Sequence, residues 1–152
     1  VTEVSGELPC GPADDGLDRP HWEGLREGRL LLQRCGRCRT WRWTPRLLCP
    51  GCRSFDVRWE DVEPRGRVFS WIRTHHPYLV ELGPDAVPYT TVLVELPGAG
   101  GSRVLGRAAA GVDPARGFRI GEEVVGRIED VPGAAWPLLR WAPVGTQQDV
   151  AA

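Results

Sequence analysis

Four cysteines stand in two pairs, Cys35-Gly36-Arg37-Cys38 and Cys49-Pro50-Gly51-Cys52, with ten residues between Cys38 and Cys49. A turn with two intervening residues lets both sulfurs approach one ion. Two such turns facing each other complete a tetrahedral all-sulfur site. The competing assignments are a pair of disulfides or four unrelated core thiols. Disulfides need an oxidising compartment, and nothing in the chain points to one. Cys35, Cys38, Cys49 and Cys52 are therefore the expected metal ligands. Four thiolates leave no open position to activate water, so the ion would be structural. Spacing alone admits zinc or iron. Cys10 is remote from both pairs and reads as a spare thiol.

Other reactive side chains form no constellation. His75 and His76 end a strand-like segment, and adjacent strand residues point to opposite faces, so they cannot act as a dyad. One is expected exposed at a rim and the other half-buried. Glu122 and Glu123 read as a solvated edge. There is no phosphate loop, HExxH or nucleophile–base motif, and no catalytic residue is assigned.

The elements that must position the cysteines are mostly strands. Asp18 is placed as an N-cap, with Pro20 in the first helical turn and Gly28 as the stop. Trp22 and Leu25 share one face of this short helix, which is too short to stand alone in water. Arg29 to Arg34 reads as a strand into the first knuckle, and Trp41 to Thr44 as the return. Pro45 and Pro50 rule out regular helix there. From Phe55 onward the period becomes two. Val68 to Arg73, Thr90 to Leu96, Ser102 to Ala108, Glu123 to Asp130 and Leu138 to Trp141 are five expected strands. Turn signals separate them at Pro77, Gly83-Pro84, Pro97-Gly98, Gly100-Gly101, Asp113-Pro114 and Pro132-Gly133. Gly66, Gly106 and Gly126 within the strands suit a small, curved barrel, most simply an OB-fold.

At 152 residues the chain can hold one domain, or a metal module plus a small barrel. Its mean hydropathy of -0.28 is that of an ordinary globular protein, and no apolar run approaches a membrane span. All 19 basic residues are arginine, and Lys, Met and Asn are absent, which suits a GC-rich bacterial genome, such as an actinobacterial one, and a GTG start. The first residues lack the pattern of a secretion signal, so the expectation is cytoplasmic. Net charge -1 argues against a dedicated nucleic-acid binder. Nine arginines nevertheless crowd the span from Arg26 to Arg58, against Glu27 and Asp56. Four thiolates on a divalent ion would offset about two of those charges.

The order of motifs resembles the acyl-CoA-associated proteins built from a rubredoxin-like zinc ribbon followed by an OB-fold, long catalogued as a domain of unknown function. The helix-plus-ribbon stretch from His21 to Leu30, Gln33 to Cys38 and Pro45 to Cys52 carries the specific likeness. Gly66 to Ser70, Pro88-Tyr89, Val92 to Leu96 and Ile120 to Val124 extend it to about residues 18–143. In that family Gly often follows the second Cys of each knuckle. Here Arg39 and Arg53 hold those places, at about 1 kcal/mol each if the backbone is left-handed. Metal binding on the order of 10 kcal/mol outweighs this.

The resemblance implies a mainly β fold, with an irregular arm (1–17), a short helix plus zinc ribbon (18–55), a five-stranded OB-fold barrel (56–143) and a flexible tail (144–152). It favours Zn2+ over iron. It implies an accessory subunit of a thiolase-fold acyl-CoA enzyme encoded nearby, with a steroid side-chain aldolase the leading specific reading. A thiolase or enoyl-CoA hydratase partner is the alternative, in a hetero-oligomer. If a coenzyme A thioester touches this chain, Arg37, Arg42 and Arg46 are the candidates for its phosphates, since Arg binds phosphate through paired hydrogen bonds. Trp41 or Trp43 could stack on adenine, and Trp22, Leu25 and the barrel mouth could line an acyl channel. A solvated basic face over packed aromatics is the plainer account of the same residues. The competing classes are a single-strand nucleic-acid binder using Phe69, Trp71 and Arg73, and an independent enzyme.

Overall fold

The computed structural model describes residues 10–78 and 87–145. The first nine residues of the expected arm, the turn at Gly83-Pro84 and the tail from 146 lie outside the described residues. One helix, α1 (Arg19–Arg26), precedes a three-stranded antiparallel sheet of β1 (Leu31–Cys35), β2 (Trp41–Arg42) and β3 (Val57–Asp61), in the order β2-β1-β3. Five further strands close a barrel: β4 (Arg65–Thr74), β5 (Tyr89–Leu96), β6 (Ser102–Ala108), β7 (Glu123–Glu129) and β8 (Leu138–Pro143). Their order around the barrel is β4-β5-β6-β8-β7, with β6 and β8 parallel and every other pair antiparallel. The fold is mainly β, with a zinc-ribbon region and a closed five-stranded OB barrel.

The helix forms where its punctuation places it, but Asp18 does not cap it by its side chain. One carboxylate oxygen instead accepts from the Ala13 N–H at 2.8 Å and the other from Trp22 Nε1 at 2.9 Å. Asp18 thus ties the arm and the Trp22 indole together, while its carbonyl accepts from the first helical N–H groups. At the other end Gly28 adopts φ 74°, the left-handed stop. Leu25 is buried, and Trp22 packs at the edge of the core.

Period-two alternation produces the barrel as expected. Val92, Val94 and Leu96 are fully buried along β5, joined inside by Val68, Val104, Val124 and Trp141. Trp141 fits because its neighbours carry no side chain: a Cβ on Gly106 or Gly126 would come within 2.9 or 3.0 Å of the indole. Strand β4 breaks the simple alternation. The register with β5 shifts between Val68 and Ser70, so Phe69 sits in a bulge. Val68 pairs inward against Val94, and Trp71 then pairs against the buried Val92.

Ribbon and barrel share a core. Leu25, Leu30 and Leu32 belong to the same buried cluster as the barrel valines. The Val62 N–H donates to the Leu30 carbonyl at 2.9 Å, and Trp41 packs against Gly100 at the β5–β6 turn. Strand β3, which the sequence pattern does not single out, pairs with β1 along its whole length, from Leu31 opposite Asp61 to Cys35 opposite Val57.

Candidate metal centre and ligand cleft

The two cysteine turns are built alike. In the first, the Cys35 N–H donates to the Thr40 carbonyl at 2.9 Å and the Arg39 N–H to the Cys35 carbonyl at 3.0 Å. In the second, the Cys49 N–H donates to the Ser54 carbonyl at 2.9 Å and the Arg53 N–H to the Cys49 carbonyl at 2.9 Å. Arg39 (φ 65°) and Arg53 (φ 57°) both occupy the left-handed region, as the knuckle geometry demands. Gly36 is required for a different reason: a Cβ there would collide with the Asp56 carboxylate, whose residue's carbonyl accepts from the Gly36 N–H.

The four Sγ atoms lie within 4.8 Å of one another, with Cys35–Cys52 at 3.6 Å and Cys38–Cys49 at 3.5 Å. A tetrahedron with metal–sulfur bonds of about 2.3 Å has edges of about 3.8 Å, so the set fits one metal ion. Cys35 and Cys49 are fully buried, while Cys38 is exposed. The Thr40 hydroxyl, 3.2 Å from the Cys38 sulfur, holds that thiol down to about 6, with further help from the Thr40 backbone. Cys38 is therefore the thiol readiest to meet a metal as thiolate, whereas, against a backbone hydrogen bond at Ser54, burial and the neighbouring sulfurs push the Cys52 thiol up to about 11. Cys10 is not part of this group.

Acids from β3 answer three of these arginines. Glu60 pairs with Arg34 at 2.9 Å and Arg39 at 2.8 Å, and Asp61 pairs with Arg29 at 2.8 Å. Glu60 is consequently held below the usual carboxylate range, first by its Arg34 hydrogen bond. Arg37 and Arg46 are exposed. Arg42 is buried at 4% exposure; its Nη1 donates to the Arg46 carbonyl at 3.3 Å, while Nε and Nη2 have no partner.

A cleft of about 550 Å3 lies between α1, the loop after β2 and the barrel wall of β5, β6 and β8. Trp22, Leu25, Trp43 and Pro45 form one side. Leu93, Leu105 and Leu138 line the other, with Arg103, Arg107 and Arg140. Arg37, Arg42 and Arg46 do not border it, whereas Trp22 and Leu25 do. Trp43 also lines the cleft and packs on His21, with ring centroids 4.5 Å apart. Trp41 instead lies beneath Arg34, 4.7 Å from its centroid. The cleft's own arginines escape a sequence reading because Arg103 and Arg107 lie on β6 and Arg140 on β8, strands distant in the chain. Only the register of β6 and β8 brings Arg107 beside Arg140.

His75 and His76 are both exposed, so the expectation of one half-buried ring fails: both follow the last residue of β4, where strand alternation has ended. Glu122 is tied to Arg116 and held low by that contact, and Glu123 reaches Arg65 and Arg67 at 3.7 and 3.9 Å. The bulge separates the proposed stacking residues: Phe69 lies exposed under Arg103, while Trp71 packs against the core. They do not make one stacking face.

A four-thiolate ribbon joined to a closed barrel of this strand order defines a zinc ribbon–OB-fold protein. Residues 22–58 match the ChsH2 rubredoxin-like zinc ribbon domain and residues 59–135 the ChsH2 C-terminal OB-fold domain, and the chain belongs to this family. Its implied cofactor is a structural Zn2+, which the donor set and spacing fit.

Among solved structures, a chain of the "Ltp2-ChsH2(DUF35) aldolase" superposes with TM-score 0.73 at 32% identity, covering 87% of this chain and 98% of that one. A DUF35-family protein of unknown function from Sulfolobus solfataricus, at 16% identity and TM-score 0.50, shares the fold over 76% of this chain and 78% of that one. A probable enoyl-CoA hydratase alpha subunit from Thermomonospora curvata is 42% identical over 82 residues, which are 52% of this chain. That stretch is only 24% of the hydratase subunit's length. No helix among the described residues is long and apolar enough to cross a membrane.

Proposed function

We propose that this chain is the accessory subunit of a thiolase-fold acyl-CoA enzyme, held in a hetero-oligomer with a partner encoded nearby. The observation that carries this reading is the likeness to the ChsH2 chain of an aldolase over 98% of that chain's length. The site chemistry agrees with a supporting role. Cys35, Cys38, Cys49 and Cys52 would hold Zn2+ with four thiolates, which fixes the ribbon and leaves no open position for a reacting group. Leu47, Leu48 and Phe55 stand exposed around the second knuckle at 61%, 42% and 74%. Apolar surface of that kind is what obligate subunit contacts cover. The specific reaction we favour for the partner is an aldol cleavage of a 3-hydroxyacyl-CoA of the steroid side-chain type. Coenzyme A thioesters of this kind would place the complex in the cytoplasm of a bacterium.

A second reading, an enoyl-CoA hydratase complex, has its own support in the 42% identical hydratase subunit. Purifying the adjacent thiolase-fold protein with and without this chain separates the readings. Co-elution, together with aldol cleavage that appears only in the pair, is the expected result. Equal turnover without co-elution would remove the accessory role, and hydration of an enoyl-CoA by the pair would select the second reading.

A further inference from the structure

The barrel wall of the cleft sets arginines side by side. Arg107 on β6 and Arg140 on β8 are direct partners in the parallel pairing, and Arg140 is also opposite Arg127 on β7. Like charges set opposite one another on neighbouring strands destabilise a sheet. One acid answers nearby: Glu129 lies 3.6 Å from the Arg140 Nε, beyond a good hydrogen bond. Arg140 donates from Nη1 to the Ala108 carbonyl at 3.3 Å, yet its buried Nε makes no hydrogen bond among the described residues. Arg107 has no ion pair among the described residues and rests over the Tyr89 ring at 3.7 Å.

The other charged groups of the cleft are already committed. Arg103 pairs with Glu95 at 3.1 Å and covers Phe69. Both Asp18 oxygens accept hydrogen bonds, from Ala13 and Trp22. Arg107 and Arg140 therefore bring positive charge to a cleft that Leu93, Leu105, Leu138, Trp22 and Leu25 also line with apolar surface. Its volume of about 550 Å3 is in the range of small-molecule sites. Arginine suits phosphate here because its planar fork offers two parallel donors.

We propose that this cleft binds an amphipathic organic phosphate, with the phosphate on Arg107 and Arg140 and the apolar portion between Leu105 and Trp22. The choice of a coenzyme A thioester as that ligand rests on the accessory-subunit reading; the chemistry rests on the cleft alone.

Calorimetric titration of the zinc-loaded full chain with octanoyl-CoA, octanoyl-pantetheine and inorganic phosphate tests it. Octanoyl-CoA should bind at least tenfold more tightly than either fragment. Arg107→Gln, which removes a guanidinium that rests over Tyr89 and has no ion pair among the described residues, should weaken octanoyl-CoA at least fivefold and leave octanoyl-pantetheine unchanged. Arg140→Lys keeps the charge but removes the fork, and should weaken it by a smaller factor. Arg37→Gln and Arg46→Gln should change nothing. Absence of octanoyl-CoA binding, binding indifferent to Arg107→Gln, or sensitivity to Arg37→Gln instead would each overturn the proposal. Co-purification of the unsubstituted chain with the thiolase-fold partner, beside its own octanoyl-CoA titration, reports separately on the accessory role. Intact co-elution with no ligand binding would remove this inference alone, whereas ligand binding without co-elution would remove the accessory reading and keep the cleft.

Discussion

His21 joins three parts of the molecule through one ring. It is 6% exposed, its Nδ1 lies 3.0 Å from the Leu31 carbonyl, and Trp43 and Trp22 pack against it. The carbonyl can only accept, so Nδ1 carries the proton and the neutral ring needs none on Nε2. Burial lowers its pKa from the ordinary 6.5, against weaker raising effects of Leu31 and Asp18. The unfolded chain therefore takes up a proton near pH 6.5 that the folded chain resists. This contribution is complete above 6.5 and is lost as pH falls from 6.5 toward the folded value, by at most about 1.4 kcal/mol per pH unit. Zinc-loaded protein should lose thermal stability between pH 7.5 and 5.5, and His21→Phe should flatten that loss. An unchanged slope in the variant would mean that other groups govern it.

Arg53 gives a second residue-scale prediction. Its left-handed φ of 57° is one that glycine adopts without cost, and its exposed side chain makes no ion pair among the described residues. Arg53→Gly should stabilise the zinc form by about 0.5–1 kcal/mol, less the entropy that glycine adds to the unfolded chain. Arg39→Gly should gain less, because it gives up the Glu60 contact at 2.8 Å. Thermal melts of both variants would check the order, and a larger gain at position 39 would contradict it.

At the scale of elements, the knuckles hold the ribbon and the metal holds the knuckles. Cys49 is fully buried and its sulfur contacts that of Cys38 across the site. Cys49→Ser should lower bound zinc from about one equivalent to well below half, measured by metal analysis after gel filtration. Retention of a full equivalent would mean that the remaining thiols suffice. The knuckles were legible before any fold because two CxxC turns have few other uses, and the five barrel strands because short apolar-rich segments, the clearest of them Thr90 to Leu96, stand between Gly and Pro turn signals. Strand β3 was not, since Val57–Asp61 carries only two apolar residues and its partner β1 is a run of leucines rather than an alternation. The bulge at Phe69 was also hidden, because an extra residue changes faces without changing residue type. The ligand cleft was half legible. Trp22 and Leu25 share a helical face that had to be covered, but Arg107 and Arg140 lie 33 positions apart and meet only through barrel register.

For the whole molecule, the shared core makes the ribbon and the barrel unequal dependants. The ribbon has two short strands beside β1, and its knuckle turns close on sulfur ligands. The barrel closes on itself through hydrogen-bonded strands around Val68, Val92, Val94, Val124 and Trp141, none of them more than 2% exposed. Removing zinc takes a stabilisation on the order of 10 kcal/mol from the ribbon, while the barrel loses only the cover of Leu25, Leu30 and Leu32. Amide exchange after chelation should therefore be stepwise. Amides of β1 and β3 should lose protection first, those of α1 should follow as Leu31 no longer holds His21, and β5 should stay protected longest. Because α1 and the Trp43 loop form one side of the cleft, ligand binding there should vanish with ribbon protection and not with barrel protection. Loss of β5 protection at the same zinc occupancy as β1 would show instead that the two parts unfold as a single unit.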